Sequence, residues 1–239
     1  AFAFSFYMTV RAVELADLHT IIWLPAALYF AKKAGETAKA RDIVMLSLSL
    51  SLAFLAGHPQ VFSYIYLMAA SFFAYYSYGK RPAGRSAVNF ILFNVLFAGL
   101  VSCQLLPGLE FILLSKRAYA GVGLNVHLST FSGIEQFAAF FFPFLAGKIG
   151  REAMFIDWMG LIDIGIPAAI LSVAGIVLWS KNRERIFLAV LLLAAVILSY
   201  AGNFHIYRKI AAMVPAISAV EYVSKINVIY FAILCLAAG

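Results

Sequence analysis

Long apolar stretches separated by short polar segments repeat along the whole chain. They lack the alternation of apolar and polar residues that is typical of half-exposed strands, so helices are favoured over a closed β-barrel. The pattern predicts an all-α, polytopic transmembrane helix bundle of about seven to eight spans, with truncated terminal ones. The predicted helices cover Ala1–Val10, Leu18–Ala31, Ile43–Ala56, Val61–Tyr78, Ala87–Leu106, Ile156–Trp179, Ile186–Gly202 and Ile226–Gly239.

One further apolar stretch, Ile134–Gly147, is too short for an ordinary span and contains Pro143. These features predict a re-entrant or interfacial segment at residues 134–147. The alternative, a full span, would place the basic segment Lys181–Arg185 on the opposite side of the membrane from the other basic segments.

Basic residues collect in three short segments between the predicted helices, namely Lys32–Arg41, Lys80–Arg85 and Lys181–Arg185. Counting one crossing per helix places all three on one side, which the positive-inside rule makes cytoplasmic. The outer side then receives Arg11–His19, Gly57–Pro59, Pro107–Phe155 and Asn203–Lys225.

Composition supports the membrane class, because apolar residues form 64% of the 239 residues and charged residues only 12%. The net charge of +7 reflects the basic loops and does not indicate nucleic-acid binding. We expect residues 1–239 to be a single transmembrane domain. Both ends are apolar, so we also expect an internal piece of a longer chain.

The turn Gly57-His58-Pro59-Gln60 joins two predicted helices. Gly ends helices and Pro starts them, so this sequence has a local structural explanation. His58 and Gln60 are also candidates to donate hydrogen bonds to a phosphate or a sugar hydroxyl, since a histidine at membrane depth needs a partner or a function.

A second polar group, Glu110 with Lys116 and Arg117, follows Leu106-Pro107. In a helix, Glu110 and Arg117 share one face. Arginine binds phosphate through paired hydrogen bonds and a carboxylate can move a proton, so the group suits an anionic lipid-linked substrate. The alternative is a Glu110–Arg117 ion pair with Lys116 reaching toward lipid headgroups.

Two other outer segments hold candidate ligands. Asp17 and His19 could bind a metal, although two ligands are a weak signal, and a solvated loop explains them equally. Arg208 and Lys209 precede an amphipathic pattern and could bind lipid phosphates in general or one lipid-phosphate substrate. We predict no metal site and no cofactor, since a divalent metal has no further support.

The order of several short motifs resembles the YfhO family of bacterial membrane proteins. They are Tyr7, Trp23-Leu24-Pro25, Gly57-His58-Pro59-Gln60, Leu106-Pro107 with Glu110, Ser115-Lys116-Arg117, and Asp157-Trp158-Met159-Gly160-Leu161. That family is similar to the GT-C class of glycosyltransferases, which use polyprenyl-phosphate sugars. The resemblance implies that the main catalytic acid lies upstream of Ala1. It also implies a multi-pass protein of the bacterial inner membrane, active on its extracytoplasmic face.

We therefore expect a glycosyltransferase that moves a sugar from a polyprenyl-phosphate donor to a cell-envelope polymer or lipid. Glu110 and His58 are the expected catalytic residues, and the expected substrate-binding residues are His19, Gln60, Lys116, Arg117, Arg208 and Lys209. A transporter or lipid flippase, for which Asp163 would be the intramembrane acid, and a non-catalytic scaffold are the alternatives.

Overall fold

A computed structural model describes residues 15–80, 82–114 and 182–199, together with positions 170, 171, 174, 175, 178 and 233. Within these residues the regular structure is entirely helical, which confirms the predicted all-α class for this part of the chain. The helices are α1 (Leu15–Ile21), α2 (Leu24–Thr37), α3 (Ala40–Leu55), α4 (Pro59–Ser77), α5 (Ala83–Leu114) and α6 (Asn182–Ser199). The predicted re-entrant segment, Asp163 and most of the first, sixth and last predicted spans lie outside the described residues.

The chain divides into two compact units, and α1 to α5 belong to the one that covers Glu14–Tyr119. The other unit contains α6, which begins with the charged residues Arg183, Glu184 and Arg185 and continues as an apolar helix. The candidate site lies in the first unit.

The turn between α3 and α4 has the structure that its sequence predicts. Gly57 has φ +109°, a conformation in which a side chain is strained, and Pro59 is the first residue of α4. Because both signals are local, the predicted helices Ile43–Ala56 and Val61–Tyr78 match the observed ones to within three residues.

Two predicted helices differ from the structure. The span predicted at Leu18–Ala31 is interrupted, because α1 ends at Ile21 and α2 starts at Leu24, with Pro25 in its first turn. Proline has no N–H, so it is readily accommodated where a new helix begins. The helix predicted to end at Leu106 instead continues through Pro107 to Leu114.

Close contacts between the helices define their directions. Gly35, near the end of α2, lies against Phe73 and Ser77, near the end of α4, so these two helices are parallel. Phe97 of α5 packs against Phe54 near the end of α3.

The same ring of Phe97 stacks on Phe62 at the start of α4. Helices α3 and α5 therefore run parallel to each other and antiparallel to α2 and α4.

This alternation gives the unit two ends. The basic end is defined by Lys32, Lys33 and Lys80, since Lys80 lies 3.5 Å from Glu36 at the end of α2. The hairpin end is defined by the Gly57-His58 turn. Two of the three predicted basic segments are thus at one end of the bundle, while Gly57-His58 is at the other.

Aromatic rings fill the space between α3, α4 and α5. Phe62 stacks on Phe97 at 5.4 Å between ring centroids, and Phe54 meets Phe62 edge to face at 5.1 Å. The small side chain of Ser47 allows α3 to approach α5, and its hydroxyl lies 3.1 Å from the carbonyl oxygen of Phe93. Offset and edge-to-face aromatic contacts add to the stability that burial provides.

Helix α5 is the longest of the described helices. By length and composition alone, its segment Ala83–Phe111 is long and apolar enough to cross a membrane, and among the described residues it is the one helix that meets this test. Much of its apolar surface is exposed, including Val95 and Phe111 at 62% and 73%. An exposed apolar surface of this kind suits contact with lipid.

Candidate functional site

The candidate site begins with Asp17 and Thr20 on α1. These two residues are 1% and 0% exposed and are separated by three positions, so they lie on the same face of the helix. The Thr20 hydroxyl donates to the carbonyl oxygen of Ala16 at 2.8 Å and accepts from the backbone N–H of His58 at 3.4 Å. One face of α1 thus holds the turn that starts α4.

His58 links this turn to Asp17. Its Nε2 lies 3.1 Å from Oδ1 of Asp17, and its Nδ1 accepts a hydrogen bond from the backbone N–H of Val61 at 3.2 Å. His58 is the N-cap of α4, so Nδ1 satisfies one of the N–H groups that a helix start leaves open. A nitrogen that accepts carries no proton, which assigns the proton to Nε2 and makes it the donor to Asp17.

This arrangement bears on the role of His58. Nδ1, the nitrogen that could act as a base, accepts the hydrogen bond that caps the helix, and Nε2 faces the carboxyl group of Asp17. The geometry therefore favours His58 as a residue that positions Asp17 and caps α4. The structural explanation of the Gly57–Gln60 turn is confirmed by the cap, whereas its proposed contact to a phosphate or a sugar stays a prediction.

Gln60 and His19 lie near this pair but point to other surroundings. The side-chain amide of Gln60 donates to the hydroxyl of Tyr64 at 3.2 Å. His19 is exposed, whereas Asp17 is buried. Residues two positions apart on a helix face different directions, so α1 does not present Asp17 and His19 together to a metal ion.

Glu110 lies on the exposed surface of α5. It follows Phe97 by thirteen residues, which is about 20 Å along a helix. His58 precedes Phe62, the partner of Phe97, by only four residues, or about 6 Å. Glu110 therefore projects beyond the hairpin end, and the structure does not join it to the Asp17–His58 pair.

The other predicted phosphate-binding residues, Lys116, Arg117, Arg208 and Lys209, lie outside the described residues. Within residues 15–80, 82–114 and 182–199, no group of three or more His, Cys, Asp or Glu side chains is arranged to hold a metal ion.

Asp17 is the residue whose burial and pairing the sequence did not reveal. The sequence placed it in a solvated loop or beside His19, whereas the structure buries it on a helix. Its partner His58 is 41 residues away, and no local pattern indicates that pairing. The only signal was an acid and a threonine three residues apart, just before the Trp23-Leu24-Pro25 helix break.

Comparison with known proteins gives no relative, since no family model, no curated protein and no solved structure matches this chain. The resemblance to the YfhO family thus rests on the short motifs alone and remains a hypothesis.

Proposed function

We propose that this chain belongs to a multi-pass, GT-C-like glycosyltransferase of the bacterial inner membrane, in a bundle of about seven to eight spans. It transfers a sugar from a polyprenyl-phosphate donor to a cell-envelope acceptor. The observation that carries the proposal is the Asp17–His58 pair, a buried acid fixed at the end of the unit opposite its basic segments. By the positive-inside rule, that end faces away from the cytoplasm.

The chemistry requires a group that accepts a proton. The acceptor hydroxyl forms a bond to the anomeric carbon of the sugar while the bond from that carbon to the phosphate oxygen breaks. Polyprenyl phosphate leaves with the electron pair, and the hydroxyl proton passes to the Asp17 carboxylate. A positioned general base of this kind contributes about 10²- to 10⁴-fold to the rate.

His58 and Thr20 hold Asp17 and the turn in place for this role. The hydrogen bond from Nε2 orients the carboxyl group, and the Thr20 hydroxyl fixes the backbone of residue 58. Gln60, Lys116, Arg117, Arg208 and Lys209 remain the proposed contacts to the substrate. Glu110 remains a proposed second acid, on the exposed part of α5 that extends beyond the hairpin end.

Transfer of labelled sugar from polyprenyl-phosphate donors, measured in membrane vesicles, tests the proposal. Asp17→Asn should lower transfer by about 100-fold or more, because an amide cannot accept the proton. Asp42→Asn is the matched control, since Asp42 lies at the basic end, where it accepts a hydrogen bond from Thr37. Full transfer by Asp17→Asn at normal expression would exclude Asp17 as the base.

A transporter is the second candidate, and one observation favours it. The break between α1 and α2 lies close to a buried acid, and interrupted helices beside ionisable groups are typical of transporter sites. No sugar transfer with any donor, together with solute or lipid movement that Asp17→Asn abolishes, would support this candidate over the enzyme.

A further inference from the structure

Two lysines surround one tyrosine ring at the basic end. The Nζ of Lys32, on α2, lies 4.8 Å from the centroid of the Tyr76 ring on α4, and the Nζ of Lys80 lies 5.9 Å from the same centroid. Because the ring face attracts cations, both ammonium groups are held at defined positions. We call these three residues the Lys32–Tyr76–Lys80 cluster.

The charge around this cluster is strongly positive. Glu36 lies 3.5 Å from Lys80, and Asp42 accepts a hydrogen bond from Thr37. Against these two acids, the described part of the basic end carries six basic side chains, at Lys32, Lys33, Lys39, Arg41, Lys80 and Arg85. The excess of positive charge attracts an anion. Within the cluster, Lys80 lies beside the carboxylate of Glu36, whereas Lys32 lies over the ring of Tyr76.

The surroundings of the cluster suit a lipid rather than a soluble anion. Tyr78 lies at the same end and is 87% exposed, and Tyr29, about two turns before the end of α2, is 56% exposed. The Nζ of Lys33 lies 5.9 Å from the Tyr29 ring, so a second lysine–tyrosine contact repeats the first. Exposed tyrosines beside lysines are typical of the level of lipid headgroups, where the ring meets the acyl chains and the polar tip meets water.

We propose that the Lys32–Tyr76–Lys80 cluster binds the phosphate of an anionic phospholipid headgroup from the surrounding bilayer. Lys32 and Lys80 donate to the phosphate oxygens, and the Tyr76 ring holds the two ammonium groups in place. The proposal requires that this unit lies in a membrane, and it is independent of sugar transfer.

Binding to the purified protein in a neutral detergent tests the site. Dioctanoyl phosphatidylglycerol is the anionic probe, dioctanoyl phosphatidylcholine is the neutral lipid, and glycerol phosphate is the soluble phosphate. We expect phosphatidylglycerol to bind and to raise the unfolding temperature, while the other two have little effect. The double substitution Lys32→Gln with Lys80→Gln should weaken phosphatidylglycerol binding about tenfold or more. Each lysine beside an anionic headgroup adds to the attraction between the protein and the lipid.

The matched control is Lys39→Gln with Arg41→Gln, which removes the same charge from exposed residues of the same end. Equal weakening by the two double variants would show general charge attraction and would overturn the site. Equal binding of glycerol phosphate and phosphatidylglycerol would overturn the lipid as the occupant.

Tyr76 gives a second test if the double variant does not fold. Tyr76→Phe keeps the ring and should retain binding, whereas Tyr76→Leu should weaken it. Equal binding by these two variants would contradict the cluster. Sugar transfer measured on the same proteins separates the two proposals, because loss of lipid binding with retained transfer supports the lipid site alone.

Discussion

His58 and Asp17 are 41 residues apart in the chain, yet Nε2 of the imidazole lies 3.1 Å from a carboxyl oxygen of the aspartate. The same imidazole caps α4 through its other nitrogen. One side chain therefore fixes the start of a helix and the orientation of a buried acid, and substitutions can separate the two roles.

Replacing His58 by asparagine or alanine makes this separation. Asparagine can still accept from the Val61 N–H, so His58→Asn should be more stable than His58→Ala by about 1 kcal/mol. Both variants lose the imidazole contact to Asp17, so both should lower activity. The difference in the free energy of unfolding is measured by titration with sodium dodecyl sulfate, with the helix content monitored by circular dichroism. Equal stability of the two variants would show that the cap contributes nothing.

The close packing of α2 on α4 at Gly35 predicts a position-specific effect of adding one methyl group. A Cβ at Gly35 would lie 2.9 Å from the carbonyl oxygen of Phe73 and 3.0 Å from Cβ of Tyr76. Gly35→Ala should therefore destabilise the protein by about 1–3 kcal/mol. Gly99→Ala is the control, because a Cβ there meets nothing within 4 Å, and alanine should stabilise that helix by up to about 1 kcal/mol. Similar effects at both positions would contradict the packing.

The hydrogen bond between Tyr66 and Asn94 predicts coupling between α4 and α5. The Tyr66 hydroxyl donates to Oδ1 of Asn94 at 2.6 Å, and the Asn94 amide donates to the carbonyl oxygen of Phe90 at 2.8 Å. A double-mutant cycle of Tyr66→Phe and Asn94→Ala should give a coupling energy of about 0.5–1.5 kcal/mol. Tyr29→Phe, an exposed tyrosine, should change stability by less than about 0.5 kcal/mol. Strictly additive effects would exclude the interaction.

Opposite ends of the unit should label from opposite sides of the membrane. In a variant with Cys103→Ser and Cys235→Ser, single cysteines are introduced by Lys39→Cys at the basic end or His19→Cys near the hairpin end. Both original side chains are exposed. In intact cells a membrane-impermeant thiol reagent should label position 19 only, because basic segments stay in the cytoplasm. Labelling of both positions, or of position 39 alone, would contradict the proposed orientation.

Local sequence signals predicted part of this fold well. Gly57 and Pro59 act on their immediate neighbours, so the boundaries of α3 and α4 were correct to within three residues. Pro25 and Pro107 show the limit of such signals. The first begins a new helix and the second lies inside one, and this difference depends on the surroundings rather than on the proline itself.

The sequence could predict which residues are candidates for the site but not how they are arranged in space. His58 was recognised because a histidine between apolar helices is unusual. Its pairing with Asp17 could not be predicted, since helical periodicity describes one helix at a time. The separation of Glu110 from the pair depends on the extension of α5 past Pro107, whereas the sequence predicts that this span ends at Leu106.

Helices α2 and α3 pack on each other, but each also packs on a helix further along the chain. Helix α2 packs on α4, and α3 packs on α5. During synthesis, the surface of α2 around Gly35 must therefore wait for Ser77, which is added 42 residues later. At ordinary translation rates this delay is about 2–8 s. Over that interval the surface of α2 around Gly35 has no α4 to pack on, so α2 reaches its final packing only after α4 has been made.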